Sequence, residues 1–371
     1  MSHPALTKTG VATAVLSLAL SSAVLTPAKA VTQDVEREIV NNVIQNILQN
    51  VRDQIQRRRI EAPPGRFQFT GEDSNFDARN PFAANDPGNP FAALAYAKAP
   101  AMAPAPVPTW LFGINGIASG DRTSAVNAEI SLVTATGAVD VTKIGVFTAT
   151  DALTFVATGS GTWSHILGSL GALTMNTSTG TGSGTLAYVN GGFSADFTGT
   201  ASWTHVDWVA LGFVAPPDSS ALSYTGNVQY KYNLPYTFWI EPTIGFTYTE
   251  AYTANFGTKL GDATEVHVGG RVGFETKWMG FTIMPSMGGQ VYKIVEVNGA
   301  GIAGTGVFFN GDTGLGARGS AKINVLWTPN FSSFIEAHGS GIAGTKGNSI
   351  IPGNFVATQT YGGMGGLRYS W

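Results

Sequence analysis

The chain has 371 residues, only 12% of them charged, with a formal net charge of -3 and no cysteine. That balance leaves no basic footprint for nucleic acid, and the missing cysteine excludes disulfides, thiol catalysis and thiolate metal sites. Beyond the N-terminus no apolar run reaches the roughly 18 residues that a transmembrane helix needs.

Residues 1–30 read as a cleaved signal peptide. Lys8 supplies a basic n-region, VATAVLSLALSSAVL (11–25) an apolar h-region, and Ala28-Lys29-Ala30 a small-residue cleavage site, so the protein is expected to be exported. Residues 31–60 read as an amphipathic helix, with apolar side chains at 35, 39, 43, 47, 51 and 55 and at 40, 44 and 48 beside them. Asp34 and Glu36 open it and Arg57, Arg58 and Arg59 close it, which suits the macrodipole, and Pro63-Pro64-Gly65 ends it. This helix is expected to dock on a neighbour; its alternative role is a plug or tether. Residues 61–109 form a Pro/Asn-rich linker, with NPF at 80–82 and 89–91 and a semi-rigid spacer, APAMAPAPVP, at 99–108.

From Trp110 to the end, side-chain character alternates. In 222–234, Leu222, Tyr224, Val228, Tyr230, Tyr232 and Leu234 share one face, with Ser223, Thr225, Asn227, Gln229, Lys231 and Asn233 on the other. In 264–278, Val266, Val268, Val272, Phe274 and Trp278 oppose Glu265, His267, Arg271, Glu275 and Lys277. The same period of two runs through 315–327 and marks strands. They are longer than the strands of a soluble sandwich. Tight connections (190–191, 235–236, 279–280, 328–330) take turns with longer ones (207–221, 254–263, 298–313, 346–354), and Tyr232, Tyr236, Phe238, Trp278, Phe281, Trp327, Phe331, Tyr369 and Trp371 gather beside the tight ones. Short turns at one end, long loops at the other and an aromatic ring at an interface describe an outer-membrane barrel.

The expected fold is therefore all-β: a transmembrane antiparallel up-and-down β-barrel over 110–371 with about 12 strands, 14 being possible. The twelve-strand reading starts with strands near 124–136, 141–149 and 152–168, puts 169–182 outside the cell and leaves 109–119 unassigned. On the last strand Leu367, Tyr369 and Trp371 face lipid, whereas Arg368 and Ser370 face the lumen, with Glu336 on the neighbouring strand as a counter-ion for Arg368.

The closing stretch YGGMGGLRYSW resembles the last strand of autotransporter translocator domains, and FWIEPTIGFTYTEAY (238–252) with TEVHVGGRVGFETKW (264–278) resembles their middle hairpin. The resemblance covers roughly 222–371 well and 124–206 by strand spacing only. It implies a barrel that acts as a pore or translocator, or as the membrane anchor of a short N-terminal segment. It also implies a terminal strand whose Leu367, Tyr369 and Trp371 form part of the signal read by the barrel assembly machinery. The chain departs from that family in having no large passenger and no solenoid repeat before the barrel. A surface or envelope interaction protein with a closed, plugged barrel is the alternative reading.

The expected lumen face carries Lys231, Glu241, Glu265, Arg271, Glu275, Lys277, Arg318, Lys322, Glu336 and Arg368, with Asp196, His267 and His338. A structural ion-pair network is the simplest use of mixed charge there, and a selectivity filter the functional alternative. Trp278 and Trp327 belong to the aromatic girdle. Catalysis is not expected. His205 and Asp207 share a face at a strand end without a nucleophile motif, His165 stands on another strand, and no phosphate loop or metal-ligand cluster is present. The expected surroundings are outer-membrane lipid and the assembly machinery of a Gram-negative outer membrane, with no nucleic acid and no cofactor.

Overall fold

The computed structural model describes residues 110–371 except 126–127, 149–150, 169–173, 209–217, 300–314 and 347–354. The signal peptide, helix and linker expected over 1–109 lie outside the described residues.

Fourteen strands join one sheet, and two of them are short continuations of longer ones, which leaves twelve that make the wall. We number these β1 (Trp110–Ala125), β2 (Ala128–Ile144), β3 (Asp151–Gly168), β4 (Thr174–Asn190), β5 (Phe193–Trp208), β6 (Ser219–Tyr230), β7 (Phe238–Thr253), β8 (Lys259–Phe274), β9 (Phe281–Gly299), β10 (Leu315–Leu326), β11 (Phe331–Lys346) and β12 (Phe355–Ser370). Tyr232–Asn233 extends β6 and Thr276–Trp278 extends β8. Every neighbouring pair is antiparallel, and β12 pairs with β1 from Gly113↔Ser370 to Ser124↔Gln359, so the sheet closes on itself. Closure removes the open edges whose N–H and C=O groups lipid could not satisfy.

The barrel has twelve strands, and the expected N-terminal boundaries need correction. TWLFGINGIAS, left unassigned, is most of β1; the strands expected at 124–136 and 141–149 are one strand, β2; and 174–182 belongs to β4 rather than to a loop. Glycine explains the difference. In β4 the outward positions Gly180, Gly182 and Gly184 alternate with inward Thr179, Thr181, Ser183 and Thr185, a period of two with little hydrophobic contrast.

Outward side chains are apolar and exposed: Ile114, Val133, Val139, Phe155, Phe197, Ile244, Val268, Ile323 and Ile335 are each at least 47% accessible. Inward ones are buried and mostly polar, with apolar side chains such as Ile130, Leu132, Val156, Ile166 and Trp239 among them. Along β5 the outward series runs from Phe193 to Trp203; at the usual rise and tilt these ten steps span about 25 Å, the height of a membrane-spanning apolar band. At the short-turn end Trp110, Phe112, Phe193, Tyr232, Phe238, Trp278, Trp327, Tyr369 and Trp371 are all exposed. Lys143 lies over the Trp110 ring, 5.4 Å from its centroid. At the other end Trp203, Phe256 and Tyr252 pack edge-on, with centroids 5.4 and 5.9 Å apart. Two aromatic rings thus bound an apolar belt, and the expected girdle residues Trp278, Trp327, Tyr369 and Trp371 stand in one of them, with Leu367 just inside it.

Candidate functional site

The inner face of the barrel is the site, and it has two walls. From β1 to β6 it is lined chiefly by buried hydroxyls, with Thr134, Thr136, Thr142, Thr154, Thr162, Thr179, Thr185, Thr198 and Thr204 among them. Cross-strand partners bond directly: Thr134 to Thr162 and Thr179 to Thr204 at 2.9 Å, Thr142 to Thr154 and Thr185 to Thr198 at 2.8 Å. A β-branched hydroxyl suits this position, since its stiff χ1 holds Oγ1 toward the residue directly opposite.

From β6 round to β12 the wall is charged. Two ion pairs join neighbouring strands in register: Arg271 to Glu241 at 3.2 Å and Lys322 to Glu336 at 3.4 Å. Lys322 also lies over the Phe334 ring, with Nζ 3.7 Å from the centroid. Others reach over a strand. Arg318 on β10 meets Glu265 on β8 at 2.8 Å, taking Gln290 of the intervening β9 at the same distance. Lys231, at the foot of β6, meets Glu275 beyond β8 at 3.4 Å and lies over the Trp239 ring. Asp196, Asn227 and His267 form a row: Asn227 Nδ2 donates to Asp196 Oδ1 at 2.8 Å, and Asn227 Oδ1 lies 2.8 Å from His267 Nε2. Between Asn227 and His267 stands Gly245 of β7, in register with both. A Cβ there would come within 2.5 Å of His267 Nε2. The absent side chain is what lets the row continue.

Nine of the ten expected lumen charges thus find a partner on the inner face. Lys277 does not join them; it is exposed, in the extension beyond the band. The expected Arg368–Glu336 pair is corrected as well. Glu336 is taken by Lys322, and Arg368 reaches Asp140 on β2, with Nη1 3.1 Å from Oδ1 and Nη2 3.2 Å from Oδ2. Sequence reasoning missed Asp140 and also Asp121, which lies 2.6 Å from His338 Nε2. Both stand on the glycine- and threonine-rich strands whose alternation carries little contrast, and each meets its partner across an intervening strand. Buried pairs of this kind gain little net energy over apolar packing, but losing one partner costs several kcal/mol.

The histidines outside the lumen serve the rim. His205 lies between Asp218 at 2.7 Å and Asp207 at 3.3 Å, and His165 Nδ1 lies 2.7 Å from Asn176 Oδ1, all on the outer face beyond Trp203 and Trp163. Near the opposite end Asp151 accepts backbone N–H bonds from Val146, Phe147 and Thr148 at 2.7 to 3.0 Å and pins the turn before β3.

A closed twelve-strand up-and-down barrel with an apolar belt, two aromatic rings and a polar interior defines a transmembrane β-barrel of the outer-membrane type. No family model matches the chain and no curated protein matches it in sequence. Among solved structures it is similar to the β domain of the Bordetella autotransporter BrkA, at 13% identity and a TM-score of 0.52 over 70% of this chain and 99% of that one. It is also similar to the translocator domain of the autotransporter NalP from Neisseria meningitidis (10% identity, TM-score 0.46, 71% and 88% covered). The transport unit of AIDA-I from Escherichia coli is a further similar structure (11% identity, TM-score 0.43, 75% and 96% covered). At these identities the likeness is one of fold.

Proposed function

We propose that the protein resides in a Gram-negative outer membrane and serves as a translocator-type pore and anchor for its own N-terminal segment, residues 31–109. One observation carries this reading: Phe112, near the start of β1, pairs with Trp371 at the short-turn end, so the segment that precedes Trp110 joins the barrel on the side of the tight turns. In an outer-membrane barrel that side is periplasmic. The segment then either stays there or passes through a lumen whose hydroxyls and paired charges offer hydrogen bonds to an extended or helical chain. The autotransporter-like fold supports the same reading by analogy.

Planar-bilayer conductance tests it. Mature protein should conduct weakly and a variant lacking 31–109 strongly; equal conductances would assign the segment no place in the pore and favour a surface interaction role. Location is tested by fractionation with heat-modifiable gel migration, and folded protein free in the periplasm would overturn it. Gly280→Cys and Thr305→Cys test orientation, because an impermeant maleimide on intact cells should label 305 and spare 280. Trp371→Asp should lower the amount of assembled protein, since it places a carboxylate on the lipid side of the strand that we expect the assembly machinery to read.

A further inference from the structure

The two strands that close the barrel are poorly equipped to choose their own register. At the middle of the seam Gly362, Gly363, Met364, Gly365 and Gly366 of β12 face Asp121, Gly120, Ser119, Ala118 and Ile117 of β1. Sliding one strand by two residues would preserve the inward and outward faces and lose few side-chain contacts; glycine-rich strands specify register weakly for this reason. The outward Leu367 and Tyr369 select a face, not a register.

Inner-face side-chain contacts cross this seam: Thr123 and Thr360, directly opposite, bond at 2.9 Å, and two further contacts each span three strands. Arg368 of β12 reaches Asp140 of β2 above Gly113 of β1, where a Cβ would stand 2.5 Å from the Asp140 carboxylate and 2.8 Å from the guanidinium. His338 of β11 reaches Asp121 of β1 at 2.6 Å above Gly362 of β12, which is in register with both. A Cβ at Gly362 would collide with the Asp121 carboxylate. The two contacts lie toward opposite ends of the lumen and run in opposite senses, one stepping over the first strand and one over the last. Neither can form before the seam closes. A slip of two residues moves each partner by about 6.6 Å. In either direction it takes Asp121 out of line with His338. Arg368 stands opposite Asn115 and reaches diagonally to Asp140, so a slip toward Ile117 carries it out of ion-pair reach and the opposite one brings it into line with Asp140.

We propose that Arg368–Asp140 and His338–Asp121, each passing over its glycine, are the register lock of barrel closure. The other lumen charges hold a wall already paired; these two decide which of several seams of similar backbone quality is made. The inference goes beyond the pore reading and holds whatever occupies the lumen.

The chain has no cysteine, so introduced pairs report register cleanly. With Ile117→Cys on β1, oxidation should link Gly366→Cys, its native partner, and not Met364→Cys, its partner after a slip. In a background of Arg368→Ala and His338→Ala, a large share of the product should move to position 364 or the yield of closed, heat-modifiable barrel should fall several-fold. The charge exchange Arg368→Asp with Asp140→Arg, with His338 intact, should return the product to position 366. Replacing both Lys322 and Glu336 by Met and Gln, away from the seam, should leave the product at 366. The lock is refuted if the 366 product and the closed yield survive removal of both contacts. It is also refuted if the single charge changes block closure and the exchange does not restore it.

Discussion

The hydroxyl wall and the charged wall meet the same demand by different means. On β2 to β5 short Thr side chains bond only to the residue directly opposite, so each pair is a staple between two neighbours. On β6 to β12 long side chains step over strands, as Arg318 does to Glu265 and Asn227 does to His267. Staples make independent contributions, whereas bridges share partners and gaps, so damage at one site spreads to the next. The difference predicts how each wall responds to change.

The largest effect is expected on the charged wall. Glu241 is fully buried against Arg271, so Glu241→Leu strands a guanidinium and should cost about 3–5 kcal/mol, read as a lower denaturant midpoint in detergent. Unchanged stability would mean that water or other groups serve Arg271 and that the wall is not a network.

Gly245→Val should follow, at about 2 kcal/mol, by driving a branched side chain between Asn227 and His267. The informative measurement is a double-mutant cycle with Asn227→Leu. Coupling should be large, because both changes cut one row, and plain additivity would show that the row carries no energy.

On the other wall, Thr185→Val alone should cost about 1 kcal/mol by orphaning the Thr198 hydroxyl, and Thr185→Val with Thr198→Val should come back close to neutral. A double variant as costly as two independent losses would erase the distinction between staples and bridges.

The smallest effect concerns pH at the turn before β3. Burial pushes the Asp151 carboxyl up, but the backbone N–H groups of Phe147, Thr148 and Val146, with the Tyr188 hydroxyl, outweigh it and hold the group below its ordinary value. A depressed folded value means that the stabilisation is complete above the unfolded carboxylate range and is lost as pH falls through the folded one. Acid titration of the thermal midpoint should show a shallow drop that Asp151→Asn flattens.

Which parts of the molecule were legible in its sequence follows the same division. From β6 onward, large apolar residues alternate with charged ones and the strands, faces and girdle can be read directly. Along β1, β2 and β4 the outward faces carry small residues at Gly116, Ala118 and Gly120, at Ala135 and Gly137, and at Gly180, Gly182 and Gly184, while β2 turns Ile130 and Leu132 inward. The hydrophobic contrast between the faces is therefore low, and the boundaries slipped. For the inner face, residue types were legible and partners were not. Arg368 invited Glu336 as a near neighbour, and the glycine at 113 that opens the path to Asp140 resembles every other glycine in the chain.

Phe112 and Trp371 exchange two backbone hydrogen bonds, at 3.0 and 3.1 Å, and stack their rings 6.2 Å apart. The two ends of the barrel are therefore joined as any two adjacent strands are, and the wall is a ring whose starting point is a matter of genetic order. Linking Trp371 to Trp110 through a short peptide and reopening the chain within 300–314 would yield a circular permutant with the same twelve pairings. The former seam would then be an ordinary hairpin, and β9 and β10 would inherit the task of finding each other last.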